Sequence, residues 1–231
     1  MKITCLGTGS KGNCYIIEQE GYKYLLDCGI DFKKIITNVN LNEIDFCYVS
    51  HEHKDHSLNL ENLLKRRVKV IEGRLIQVFQ EIAFKNLKQG KLRLFAFPVW
   101  HGSCANSGLI VQTENECLLY ATDFSRCKYN LKSINFTHLM VECNYDEAFM
   151  SRIQEKTIKH IRQQNTHMGF NGLTTFISKA INLEPVQEII LIHLSNEAEL
   201  IDRDVIREKA MYLFKKRVGI CKRLGGIDYG R

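Results

Sequence analysis

The 231-residue sequence predicts an α/β (α+β) protein in which two mixed β-sheets pack face to face with helices outside. Three observations predict it. Short apolar runs separated by tight turns crowd the first third of the chain. The second half repeats the order, strands first and then alternating helix and strand patterns. The densest polar cluster, His51-Glu52-His53-Lys54-Asp55-His56, directly follows the apolar run Phe46-Cys47-Tyr48-Val49. It therefore falls at the C-terminal end of a buried strand, where α/β sheets keep their chemistry.

The elements follow in order. Residues 3–6 form a short strand that runs into Gly7-Thr8-Gly9-Ser10-Lys11-Gly12-Asn13, and 14–17 and 24–27 are strands around a turn at Glu20-Gly21. Phe32, Ile35 and Ile36 share a helical face, which predicts a helix over 31–38. Beyond the histidine cluster, Leu60, Leu63 and Leu64 predict a helix over 58–67, then a strand at 68–71 and an amphipathic helix over 75–86. Strands at 92–97, 108–112 and 118–122 come next. The second half reads as strand 139–142, a long helix 146–163, helix 172–182, strand 188–192 and a final helix 197–216. Asn196 and Glu199 have the spacing of a capping box at its start.

With 45% hydrophobic and 25% charged residues, only Pro98 and Pro185 as prolines, and no linker-like stretch, the chain reads as one domain over 1–231. Nine scattered cysteines, without a C-x-x-C pair or a signal peptide at the start, predict reduced thiols in a cytoplasmic protein. Cys5, Cys28, Cys47 and Cys143 lie in apolar runs and read as small core residues. No apolar run approaches the roughly 20 residues of a membrane-spanning helix, so no membrane is expected as partner. The net charge of +6 suits a polyanionic substrate, and Lys65-Arg66-Arg67, Lys215-Lys216-Arg217 and Lys222-Arg223 could attract phosphates. The oligomeric state is open, with a homodimer one expectation.

Three imidazoles and a carboxylate in six residues predict one wall of a two-metal site. His51 and His53 would reach one cation, Asp55 and His56 a second. The remaining donors must come from other strand ends. His101, Asp123 and His193 each stand at the end of an apolar run, and a carboxylate such as Asp123 can bridge two cations with one oxygen for each. Nitrogen and oxygen donors accept Zn²⁺, Mn²⁺ or Fe²⁺. Of the other histidines, His138 opens a strand and reads as structural, and His160 reads as an exposed helical residue.

This order of ligands resembles the metallo-β-lactamase superfamily over nearly the whole chain. The resemblance implies an αβ/βα four-layer sandwich with two divalent metal ions at the edge between its sheets. It also implies that Asp27, in Leu25-Leu26-Asp27-Cys28-Gly29, braces the histidine loop. Leu6 to Asn13, Val141-Glu142-Cys143-Asn144-Tyr145-Asp146, His167-Met168-Gly169-Phe170-Asn171 and Ile192-His193-Leu194-Ser195 resemble the YycJ/WalJ family of single-stranded-DNA 5′-exonucleases. Tyr145, Gly169 and Gly172 depart from that family's pattern. In ribonuclease Z, which shares the logic, a Glu at the Glu142 position and a His at the His167 position work as a pair near the scissile phosphate.

The resemblance implies a phosphodiesterase or nuclease acting on nucleic acid, single-stranded DNA first, through a metal-bridged hydroxide. Asp55 would orient the water's proton, and His167, held by Glu142, would stabilise developing charge or protonate the leaving oxygen. Two other classes stay open. One is a hydrolase of the same fold that cuts a thioester, lactone or cyclic phosphodiester. The other is a nucleic-acid-binding protein with a degenerate site.

Overall fold

The computed structural model describes residues 1–83, 92–153, 157–197 and 200–230. Its first half comprises β1 (Lys2–Gly7), β2 (Cys14–Gln19), β3 (Tyr22–Leu26), α1 (Phe32–Asn38), β4 (Phe46–Val49), α2 (Lys54–Ser57), α3 (Leu60–Lys65) and β5 (Val70–Glu72). The remainder comprises β6 (Gln80–Ile82), β7 (Arg93–His101), β8 (Cys104–Gln112), β9 (Cys117–Ala121), β10 (His138–Glu142), α4 (Glu147–Met150), α5 (Ile158–Thr166), α6 (Phe170–Ala180), β11 (Glu188–Ile192), α7 (Arg203–Phe214), β12 (Arg217–Cys221) and β13 (Ile227–Asp228).

One sheet runs β1-β2-β3-β4-β5 and the other β13-β12-β11-β10-β9-β8-β7-β6. Both are mixed: β3, β4 and β5 are parallel, as are β9 to β12, while the flanking pairs are antiparallel. Three apolar clusters match the layers. Tyr15, Tyr24 and Tyr48 from the first sheet meet Leu109, Tyr120 and Ile190 from the second in one core. Ile35 and Leu63 lie over the outer face of the first sheet. Leu173, Phe176, Ile206 and Ala210 cover the outer face of the second. The result is the helix–sheet–sheet–helix sandwich that the alternation of patterns predicts. The parallel strands β3, β4, β9, β10 and β11 all present their C-terminal ends to one edge of it.

Three expected helices differ. At 75–86 the described residues form the end of a 3₁₀ turn (Gly73–Leu75) and then β6, which pairs with β7 through Glu81↔Phe95; residues 84–86 lie outside the described residues. Edge pairing with a nine-residue strand overrides an apolar pattern that fits either period. The long helix over 146–163 is two helices. Asp146 caps the first and Thr157 caps α5 in a box with His160. His160 is therefore buried rather than exposed. The last helix begins at Arg203, because Asp202 takes the cap by accepting from the backbone N–H groups of Asp204 and Val205. The Asn196–Glu199 box reaches outside the described residues. His138 is buried at the start of β10, with Nδ1 2.9 Å from Thr137 Oγ1.

All nine cysteines are free, and Cys5, Cys28, Cys47 and Cys143 are buried in the core as expected. Among the described residues no helix is long and apolar enough to cross a membrane.

Candidate metal centre

The seven residues expected to bind metal converge at that edge. His51 to His56 follow β4, with His56 on the one-turn helix α2. His101 ends β7 at a tight turn, and Asp123 and His193 follow β9 and β11. Asp27, Asp123 and His193 all have left-handed backbones, with φ of 57°, 50° and 54°. Such a conformation costs a non-glycine residue roughly 1–2 kcal/mol, and it turns the chain sharply at the strand end. Gly29 is needed for the opposite reason. A Cβ there would stand 1.8 Å from the Asp55 carbonyl oxygen, so the β3 loop and the histidine loop touch backbone to backbone.

The donors divide into two groups around Asp123. His53 Nδ1 is 2.9 Å from His51 Nε2 and 3.3 Å from His101 Nε2. Asp123 Oδ2 faces His51 and His101, each at 3.9 Å. On the other side, Asp123 Oδ1 is 3.3 Å from both His56 Nε2 and His193 Nε2, and Asp55 Oδ2 is 3.5 Å and 3.9 Å from the same two nitrogens. One carboxylate thus offers one oxygen to each group.

The arrangement fits divalent cations. Nitrogens on a tetrahedral zinc with bonds of about 2.0–2.1 Å stand roughly 3.3 Å apart, close to the spacings in the first group. His193 Nε2 is buried and has no hydrogen-bond partner among the described residues, as a nitrogen awaiting a cation should be.

The surrounding residues fix which nitrogen points inward. His101 Nδ1 lies 3.0 Å from the Thr166 carbonyl, which can only accept, so Nδ1 carries the proton and Nε2 keeps its lone pair. His56 Nδ1 donates to Asp27 Oδ2 at 2.6 Å. Asp27, fully buried, also accepts from Ser50 N at 2.7 Å and from the Tyr120 hydroxyl at 2.5 Å. Its carboxylate therefore ties the histidine loop to β9. His193 Nδ1 lies 3.2 Å from Glu142 Oε1. The Gly7–Asn13 loop also has a place here: Thr8 Oγ1 accepts from His193 N at 2.9 Å, and Asn13 Nδ2 is 2.9 Å from His56 Nε2.

Glu142 and His167 are paired. Glu142 is fully buried, and its Oε1 is 2.6 Å from His167 Nδ1 while Oε2 accepts from Phe124 N at 2.8 Å. His167 is the C-cap of α5, and its ring stacks on that of His193 with centroids 5.2 Å apart. It lines the pocket over the two groups. Burial pulls the His167 pKa down, but the Glu142 carboxylate outweighs this and raises it above the ordinary imidazole range.

Electrostatics differ between the two groups. Burial and the neighbouring imidazoles drive His51 down to about 2 and lower His101 as well. Burial acts on His193 the same way, but Asp123, Asp55 and Glu142 outweigh it and push it up to about 10. His56 is likewise raised by Asp123 and Asp27 against its burial. Asp123 and Asp55 are lowered despite burial, by His193 and His56 among others, and stay anionic at neutral pH. In the apoprotein His51 and His101 are therefore neutral imidazoles, ready to bind, whereas His56 and His193 must shed protons. Two-phase loading is expected, with the second cation releasing protons and binding more tightly as pH rises toward about 10, where His193 loses its proton unaided. Calorimetry in buffers of different ionisation enthalpy reads the released protons. Affinities that ignore pH for both cations would contradict the assignment.

The pocket over these residues has a volume of about 300 Å³, and its wall includes Ser10, Asn144, Lys159, Arg162, Gln163 and Glu197. The sequence reading missed Lys159 and Arg162. It singled out basic runs at 65–67, 215–217 and 222–223 instead, and none of these lines the pocket. Isolated cations in a helix carry no composition signal. Their spacing of three residues was the signal available.

A two-sheet sandwich with His and Asp donors at its strand ends is the metallo-β-lactamase fold, and the structural comparisons agree. The YhfI protein of Bacillus subtilis, a metallo-β-lactamase fold protein, aligns with a TM-score of 0.68 at 17% identity, covering 99% of this chain and 98% of that one. The short form of human tRNase Z aligns with a TM-score of 0.57 at 15% identity over 85% of this chain and 93% of that one.

More particularly, the family model described as anti-Pycsar protein Apyc1 matches residues 1–94. The anti-Pycsar protein Apyc1 of Saccharibacillus brassicae is 35% identical over 69 residues. The match takes in 26% of this chain and spans only 28% of that relative's length.

Proposed function

We propose that the chain is a divalent-metal-dependent phosphodiesterase whose substrate is a cyclic nucleotide. The observation that carries the reaction class is the Glu142–His167 pair beside the Asp123 bridge: His167 Nδ1 lies 2.6 Å from Glu142 Oε1 and 3.9 Å from Asp123 Oδ2. A thioester expels a thiolate that needs little help from an acid, whereas the alkoxide leaving a phosphodiester gains from an imidazole held this close to the metal donors.

The substrate class rests on two supports. The match to the anti-Pycsar family favours cyclic-nucleotide degradation. The pocket of about 300 Å³ stands at the small end of ligand pockets, the size of a single nucleotide rather than a polymer.

In this reading His51, His53, His101 and Asp123 hold one cation, and Asp55, His56, His193 and Asp123 hold the other. Zn²⁺ and Mn²⁺ suit the donors, and Fe²⁺ is compatible. Bound there, the cations supply a lowered water pKa and neutralise the phosphate charge. Asp55, anionic and partly exposed to the pocket, orients the attacking water. His167 gives a proton to the departing ester oxygen. Glu142 holds that imidazole by Nδ1, so that Nε2 is the nitrogen left for the substrate.

One observation favours the second reading, a single-stranded nucleic acid. A further cavity of about 640 Å³ runs along residues 125–130 and is lined by Arg126, Lys128 and Lys179. Phosphates of a longer chain could follow such cations.

Turnover separates the readings. The protein, loaded with Mn²⁺ or Zn²⁺, is expected to convert 3′,5′-cyclic nucleotides to nucleoside monophosphates. Cleavage of single-stranded DNA with cyclic nucleotides untouched would give the nuclease reading, and turnover of thioesters or lactones alone would overturn both.

A further inference from the structure

The helix α5 presents Lys159, Arg162, Gln163 and Thr166 to the pocket. Their spacing is i, i+3, i+4 and i+7, one face of a helix. The end of that face is tied to the metal centre. The Thr166 carbonyl accepts from His101 Nδ1 at 3.0 Å, the Asn165 carbonyl accepts from Ser125 Oγ at 2.8 Å, and His167 is the C-cap. Gln163 donates to Asn144, whose amide in turn donates to the His193 carbonyl at 2.9 Å. The lower turn of α5 is thus committed to positioning the centre.

The upper turn is not. Lys159 forms an ion pair with Glu197 across the pocket rim, so its charge is answered. Arg162 has no carboxylate partner among the described residues and is exposed on the pocket wall. It sits four residues, roughly 6 Å along the axis, before Thr166. A nucleotide with its phosphate against the metal donors would extend its nucleoside end into the rest of the same pocket, whose wall Arg162 lines. A guanidinium there can meet a base by its planar fork or by stacking, neither of which a phosphate alone requires.

We infer that α5 is the substrate-selecting wall of the pocket and that Arg162 is the residue that positions the nucleoside end of the substrate. The inference rests on the phosphodiesterase reading. It goes beyond it by assigning recognition to a segment outside residues 1–94, the part that resembles the anti-Pycsar family.

The test is equilibrium binding to the metal-loaded protein, with a nucleoside 5′-monophosphate and inorganic phosphate as probes. Arg162→Gln is expected to weaken the nucleotide about tenfold and leave phosphate within about twofold, with metal content unchanged. Arg162→Lys, which keeps the charge without the fork, is expected to recover only part of the loss. Equal weakening of both probes would reduce Arg162 to a diffuse charge and overturn the inference. So would unchanged nucleotide affinity, or a native protein that binds nucleotide no better than phosphate. Absence of cyclic-nucleotide turnover in the native protein strikes the function instead. A base-dependent loss in Arg162→Gln would survive that result as nucleotide recognition at a non-hydrolytic site.

Discussion

Asp123→Asn protein is expected to hold one divalent cation per chain instead of two and to lose on the order of 10³-fold in kcat. Asp123 is the only described side chain whose two oxygens face both donor groups, Oδ1 at 3.3 Å from His56 and His193 and Oδ2 at 3.9 Å from His51 and His101. An amide keeps one oxygen and replaces the other with NH₂, a donor that repels a cation. Losing the charge and one coordination contact removes several kcal/mol of transition-state stabilisation, and each ~1.4 kcal/mol is tenfold in rate. Asn is the informative substitution because the backbone at this position is left-handed, with φ 50°, a region Asn tolerates. Ala would mix strain into the result. Metal analysis beside steady-state kinetics reads the outcome. Two cations and near-native turnover would remove Asp123 from the centre.

His167→Ala is the second large effect, and its signature is the opposite one. Both cations are expected to stay, because His167 belongs to neither donor group, while kcat falls by about 10² to 10⁴. The pH profile supplies the mechanism. The Glu142 carboxylate outweighs burial and keeps the His167 pKa raised, so the imidazolium persists to higher pH than in a free histidine and is lost as pH climbs further. Native activity is expected to decline on the alkaline side through that ionisation, and the variant to lose this limb. A variant with full activity, or one whose alkaline decline persists, would leave the proton to another donor.

Much of this centre was legible in the sequence because strand-end ligands advertise themselves. A run such as Ile189 to Ile192, short and rich in β-branched residues, reads as a buried strand, so His193 after it falls at a sheet edge. The same logic placed His101 and Asp123. What the sequence hid are the groups that aim these ligands. Tyr120 on β9 braces Asp27 from 93 residues away, and the Thr166 carbonyl fixes the tautomer of His101 from 65 away. Such pairs depend on two sheets meeting, and no local pattern records that.

The helix expected over 75–86 failed for a related reason. Its apolar positions fit both a helix and an edge strand, and the choice belongs to β7. The split at Thr157, by contrast, was readable. A Thr before Ile158 is a good cap, and the break it makes sets α5 over the pocket.

The left-handed backbones at Asp123 and His193 have a consequence for anyone who engineers this chain. A selection for heat resistance that ignores chemistry would favour Gly at positions 123 and 193, since glycine relaxes the strained turn. Each such gain in robustness would remove a carboxylate or imidazole from the metal edge. Optimising the scaffold and preserving the centre therefore pull in opposite directions at two known positions, and those positions are the ones to hold fixed.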